Sequence, residues 1–185
     1  MRKVIIILSV IFMIFMAGLF IYYLIKGDSS RWQVSLGGII VSGLPLLLLK
    51  VKLNPLNIPI IISYYIFLFC TIFLGSIASF YIRYKWYDSP LHFYKGALLS
   101  FISISLFKQL LSEQARRETS RWVLFLFVLG FSVTGSTLWE IYEFLGDLTI
   151  THTMQMGGNK DTMTDLSLGT CGALIVAIYS CFRRI

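Results

Sequence analysis

Apolar and polar positions in this chain are segregated into long blocks, not mixed at the period of a soluble helix or strand. Six apolar blocks stand out, at 4–25, 34–49, 58–81, 91–111, 122–145 and 166–182. Runs of about 17–25 apolar residues suffice to cross a hydrocarbon core about 30 Å thick. The block at 34–49 is the shortest and holds Gly37, Gly38, Gly43 and Pro45. A re-entrant or broken helix there would leave five full spans. The first block follows Met1-Arg2-Lys3, as an export signal would, but it runs for about 22 residues, against about 7–15 for a cleaved apolar region, and no A-x-A-like site ends it. It reads as a retained span. No repeat, low-complexity tract or long linker divides the chain. The pattern predicts one all-α transmembrane domain, residues 1–185, a bundle of about six helices.

Composition supports this. Hydrophobic residues make up 57% and charged residues 14%, the latter well below the usual quarter for soluble domains. The net charge of +7 would suggest nucleic acid in a soluble protein. In a membrane protein it reads as loop lysines and arginines that set topology and meet anionic headgroups. Arg2, Lys3, Lys50, Lys52, Lys108, Arg116, Arg117, Arg121, Arg183 and Arg184 fall on one side of a six-span bundle. Lys26, Arg31, Arg83, Lys85, Lys95 and Lys160 fall on the other. Ten against six predicts cytoplasmic termini, with the third and fifth loops outside. Cys70, Cys171 and Cys181 lie in apolar runs without metal or redox spacing and read as small packing residues.

The carboxylates change the picture most. Asp28, Glu113 and Glu118 sit in hydrophilic loops and read as solvated charge. Asp88, Glu140, Glu143, Asp147, Asp161 and Asp165 all lie in or beside the third or fifth loop, as do both histidines, His92 and His152. Two spans separate those loops, so they share one face whichever way the protein inserts.

Spacing sharpens the cluster. In Asp88-Ser89-Pro90-Leu91-His92, Pro90 suits a first helical turn and Asp88 or Ser89 its N-cap. Asp88 and His92 then project together. Glu140 and Glu143 lie three apart on one helical face, near the end of an apolar span, where like charges need a cation, a proton or a basic side chain to relieve them. Asp161 and Asp165 lie four apart at the opening of the last span, where a helix N-terminus tolerates negative charge.

Bland roles exist for several of these residues. Asp88, Asp161 and Asp165 can serve as helix caps, and His92 as a hydrogen-bonded packing residue. Asp147 and His152 read as surface residues. Lys95 either snorkels to the interface or neutralises the acidic group. Gly169 and Gly172 suit close helix packing. Trp32, Tyr81, Trp86 and Trp122 suit interfacial anchoring. The Glu140–Glu143 pair resists such an account, because carboxylates near lipid depth are costly.

Together the pairs form an oxygen-rich set with one imidazole. That set suits Mg²⁺, Ca²⁺, Mn²⁺ or Zn²⁺, with Asp88, His92, Glu140, Glu143, Asp161 and Asp165 as ligands. It equally suits a proton relay or an acid–base pair. No P-loop, dinucleotide loop, nucleophile elbow or HExxH motif is present.

Asp88-x-x-x-His92, Glu140 and Glu143, Gln155, Asp161-x-x-x-Asp165 and Gly169-x-x-Gly172 resemble the VanZ-like superfamily of small bacterial membrane proteins, named for a member linked to teicoplanin resistance. Leu138-Trp139-Glu140-Ile141-Tyr142-Glu143-Phe144, with Met156-Gly157-Gly158 and the Asp161–Asp165 motif, is similar to its YjdF-like branch. The resemblance covers roughly residues 85–175 and implies a role in glycopeptide resistance or envelope maintenance.

The leading expectation is an outward-facing pocket lined by the six acidic and imidazole residues, assisted by Gln155 or Lys95. It would bind a cation and a membrane lipid or lipid-linked envelope molecule, with no part for nucleic acid. Two rivals stand beside it. One is a metal-dependent hydrolase or transferase acting on a lipid or cell-wall precursor. The other is a small transporter or proton-coupled carrier; behind both stands a purely structural role, with the acids serving as caps and inter-helix ties.

Overall fold

The computed structural model describes residues 1–149, 155 and 158–182, and its regular structure is helical throughout. Six helical segments are long and apolar enough to cross a membrane: Arg2–Lys26, Ser29–Leu48, Ile58–Ile77, Asp88–Leu110, Arg121–Leu148 and Asn159–Phe182. The protein is an all-α, polytopic membrane bundle. His152, with Met156, Gly157, Arg183 and Arg184, lies outside the described residues. The chain forms two compact units, Met1–Tyr87 and Asp88–Ile185.

In the first unit, α1 (Arg2–Lys26) and α2 (Ser29–Leu48) make a tight hairpin. Gly27 ends α1 at φ 70°, a left-handed conformation that glycine adopts without a Cβ penalty. Asp28 then caps α2, its Oδ1 accepting the Arg31 backbone N–H at 3.1 Å. The Arg31 guanidinium donates to Asp28 Oδ2 at 2.7 Å, to the Ile77 carbonyl at 2.9 Å and to Ser79 Oγ at 3.0 Å. Those hydrogen bonds hold the Asp28 carboxyl below its ordinary range.

The block at 34–49 is one continuous helix from Ser29 to Leu48. Pro45 cannot donate to the carbonyl four residues back, and a carbonyl left unsatisfied in lipid is expensive. Tyr64 supplies the missing donor, its hydroxyl reaching the Val41 carbonyl at 2.7 Å. Tyr65 also donates to the neighbouring Ser42 carbonyl, at 2.8 Å. Both tyrosines belong to α3 (Ile58–Leu68), which continues as a π-helical segment, Phe69–Ile77. The third apolar block thus ends its span at Ile77. The short α4 (Phe80–Arg83) follows as a separate turn.

In the second unit, α5 (Asp88–Leu110), α7 (Arg121–Thr149) and α8 (Asn159–Phe182) pack together, with α6 (Glu113–Glu118) a short surface helix between α5 and α7. Glycine brings the backbones close. A Cβ on Gly96 would collide with the Gly169 carbonyl oxygen, and one on Gly172 would collide with the Phe93 carbonyl. Toward the α6 end the core is apolar, with Ile104, Phe107, Leu124, Val128, Val176 and Ala177 packed together. Toward the opposite end it becomes polar. There α5 and α8 begin, and α7 extends to Thr149, beyond the predicted limit at 145, so Glu140 lies well inside the helix.

Candidate functional site

The buried stripe of each helix carries one set of polar side chains to the same place. On α5 the stripe begins with His92, Lys95 and Gly96; on α7 it includes Ser132, Ser136 and Glu140; on α8 it includes Asp165 and Gly169. The four ionisable groups at its head, His92, Lys95, Glu140 and Asp165, are each 4–5% exposed. Charge is seldom buried so completely unless it is paired.

His92 is the centre of the pairing. Its Nε2 lies 3.3 Å from Asp88 Oδ1 and 3.9 Å from Asp165 Oδ2. Its Nδ1 lies 3.2 Å from Glu140 Oε1 and 3.0 Å from Lys95 Nζ. Carboxylates from all three helices therefore meet the two edges of one ring. Lys95 Nζ also lies 3.5 Å from Glu140 Oε1 and sits over the Trp139 ring, 5.1 Å from its centroid. The lysine thus faces inward to the acidic group.

Protonated at both nitrogens, the ring donates to Glu140 and Asp88 at once; two neutral placements also fit this geometry. A protonated Nδ1 donates to Glu140, leaving Nε2 free as a metal ligand. An unprotonated Nδ1 accepts from Lys95, and the Nε2 hydrogen then points at Asp88.

Two triads have ligand atoms close enough to share an ion: Asp88, His92 and Asp165, and His92, Glu140 and Glu143. They are not equivalent. Lys95 already supplies a positive charge to the second, at both His92 and Glu140. Among the described residues no lysine or arginine is paired with the carboxylates of the first, and Asp88, with a third of its side chain exposed, is its open edge. A cation bound there by Nε2 would leave the Nδ1 hydrogen on Glu140, the carboxylate–histidine–metal arrangement that fixes ring orientation.

The other sequence-predicted residues have distinct placements. Glu143 is only partly buried, and its Oε1 accepts the Trp139 indole N–H at 2.8 Å. Asp161 is half-buried one turn before Asp165. Gln155 gives its backbone N–H to Asp147 Oδ2 at 2.8 Å and its side-chain amide to Thr162 Oγ1 at 2.9 Å, which ties the loop to α8. Asp88 is the first residue of α5, and its carboxylate faces His92.

Sequence reasoning missed Trp139, Ser136 and Gly96. A small-residue spacing, Gly96-x-x-x-Ser100 facing Gly169-x-x-Gly172, was the available signal for the close approach of α5 and α8. Nothing in the local sequence marks Ser136.

The chain belongs to the membrane-protein family described as "Predicted membrane protein (DUF2238)", which matches residues 7–184. A Thermotoga maritima protein named "Uncharacterized protein" is 34% identical over 106 residues, covering 56% of this chain and 52% of the relative. The chain thus matches about half the length of that relative. No solved structure matches it.

Proposed function

We propose that this member of the family binds a divalent cation between Asp88, His92 Nε2 and Asp165, and uses it to hold the anionic headgroup of a lipid-linked envelope molecule. The observation that carries the reading is the placement of His92, with Asp88 and Asp165 at one ring nitrogen and Glu140 at the other. Two carboxylates and an imidazole suit Mn²⁺ or Zn²⁺. The donor set supports the same reading. Four carboxyl groups, those of Asp88, Glu140, Glu143 and Asp165, stand around one lysine and one histidine, so oxygen donors outnumber basic partners at the site. Asp88 gives the ion an exposed edge at which a phosphate-bearing headgroup can complete its coordination.

The remainder of the reading follows from the sequence. The basic-residue count favours termini inside and the site outside. The resemblance of Asp88-x-x-x-His92 and Asp161-x-x-x-Asp165 to the VanZ-like superfamily supports a bacterial cytoplasmic membrane and an envelope role.

The test uses the full chain in detergent, with Mn²⁺ binding followed by electron paramagnetic resonance. Wild type should bind one ion, and H92Q and D165N should weaken it roughly 10–100-fold. Polyprenyl phosphate should then bind better with Mn²⁺ than without, while a zwitterionic lipid should not. A wild-type protein that binds no Mn²⁺, or variants that bind it unchanged, sinks the metal reading.

A second reading rests on the 3.0 Å contact between Lys95 Nζ and His92 Nδ1. Used in that state, the Lys95–His92–Asp88 chain is a proton relay of the kind found in carriers. Proton uptake coupled to ligand transport, in protein that binds no Mn²⁺, would select it.

A further inference from the structure

Below the imidazole group, two oxygens stand out. Ser136 Oγ and Glu140 Oε2 are both buried and meet no hydrogen-bond partner among the described residues. They lie one turn apart on the buried stripe of α7, where Ser136 is 1% and Glu140 4% exposed. Unpaired buried oxygens of this kind are rare in folded proteins and call for an occupant.

The serine is unusual among its neighbours. Ser132 bonds back to the Val128 carbonyl at 2.8 Å and also meets Ser100 Oγ at 2.8 Å. Ser100 bonds back to Gly96 at 3.0 Å. Ser136 makes no such return bond, and its hydroxyl is aimed across the helix interface at Gly169. A Cβ on Gly169 would sit 3.0 Å from Ser136 Oγ and 3.6 Å from the His92 carbonyl oxygen. The absence of a side chain at Gly169 thus lets α8 approach closely a hydroxyl of α7 and a main-chain carbonyl of α5, with the free oxygen of Glu140 on the next turn of α7.

We propose that Ser136 Oγ, Glu140 Oε2 and the His92 carbonyl form a second, oxygen-only site that binds a small monovalent cation of the sodium class. All three donors are hard oxygens, which suit alkali cations and not imidazole-seeking metals. The charge available sets the valence. Glu140 has one oxygen left as a donor but shares its single negative charge with Lys95, so a monovalent ion adds the least uncompensated charge at this depth and a divalent ion more. The site is separate from the Asp88–His92–Asp165 triad: it uses the other oxygen of Glu140 and lies on the Ser136 side of it.

The test is thermal unfolding of the full chain in detergent, in sodium chloride against choline chloride at equal ionic strength. Sodium should raise the wild-type melting temperature saturably. S136A should raise the half-saturating sodium concentration by about tenfold or more, the effect of losing one ligand to a charge. Its Mn²⁺ binding should be unchanged, so failure of this site and failure of the divalent site are told apart. S132A, which removes a hydroxyl already bonded elsewhere, should leave the sodium midpoint within about twofold.

A wild-type melting temperature identical in the two salts overturns the proposal, because water alone would then satisfy the two oxygens. An unchanged sodium midpoint in S136A overturns it equally. Should S136A fail to fold, the ²³Na resonance of wild type carries the test. Line broadening reversed by excess Li⁺ supports the site, and no broadening rejects it.

Discussion

Gly96 of α5 and Gly169 of α8 meet backbone to backbone, with the Gly169 carbonyl oxygen in the space that a Gly96 side chain would need. This contact fixes the register of the two helices, and with it the approach of Asp165 to His92 one turn away. G96A cannot be relieved by a side-chain rotation, because the obstacle is backbone. It should destabilise the protein by about 1–3 kcal/mol, the usual range for overpacking, and weaken Mn²⁺ binding at the same time. G130A is the control, since a Cβ there meets nothing within 4 Å; it should leave stability unchanged or raise it by up to about 1 kcal/mol, the helix-propensity gain of alanine over glycine. Denaturant unfolding in detergent measures both, and equal effects would refute the register argument.

Lys95 and Glu140 are both buried 3.5 Å apart, and without Lys95 the Glu140 carboxylate keeps only His92 as a basic partner. K95M should therefore cost about 3–5 kcal/mol, as removal of one partner from a buried ion pair does. Combining it with E140Q removes the stranded charge and should recover a substantial part of that loss. The double-mutant cycle decides the point. Additive losses would mean that Lys95 and Glu140 do not interact in the folded protein.

The six spans were legible because lipid demands uninterrupted apolar length, and that signal survives without tertiary context. The integrity of α2 was not legible. Pro45 and three glycines weaken it locally, and the hydroxyl that repairs it belongs to Tyr64, whose partner no local pattern reveals. At the site, spacing within one helix joined Asp88 to His92 and grouped Glu140 with Glu143. It could not separate the two glutamates, which differ only in the neighbours that α7 presents to them. Glu140 faces His92 and Lys95, whereas Glu143 turns to Trp139. Ser136 was invisible for the same reason: a serine in an apolar helix usually bonds its own backbone, and only the fold shows that this one does not.

Asp28 gives a prediction in pH. Its carboxyl is held below the ordinary value of 3.8 by the Arg31 guanidinium and the Arg31 backbone N–H. A carboxyl whose folded pKa is depressed stabilises fully above its unfolded pKa, and that stabilisation disappears as pH falls through the folded pKa. The wild-type melting temperature should thus fall more steeply below about pH 4 than that of D28N. D28N keeps a competent cap at neutral pH but has no proton to gain. D28A should cost about 1 kcal/mol at pH 7 through loss of the cap. Parallel pH profiles for wild type and D28N would show that the carboxylate is not held as described.

Orientation is the last point, and it decides which compartment supplies the ligand. Gly158 precedes α8 at the acidic end of the second unit, and Arg117 lies on α6 at the other end, both exposed. Counted along the sequence, a six-span topology puts ten basic residues on the Arg117 side and six on the other, which predicts that the Arg117 side stays in the cytoplasm. In a background with Cys70, Cys171 and Cys181 replaced by serine, G158C should react with a membrane-impermeant maleimide in intact cells. R117C should react only after permeabilisation. The reverse pattern would keep the three-helix unit and its His92 pairing but turn the site to the cytoplasm. Its ligand would then have to be an inner-leaflet molecule, and an envelope role on the outer face would be lost. Because Asp88, Glu140 and Asp165 converge on His92 within one unit, a single labelling experiment assigns the whole site to one side.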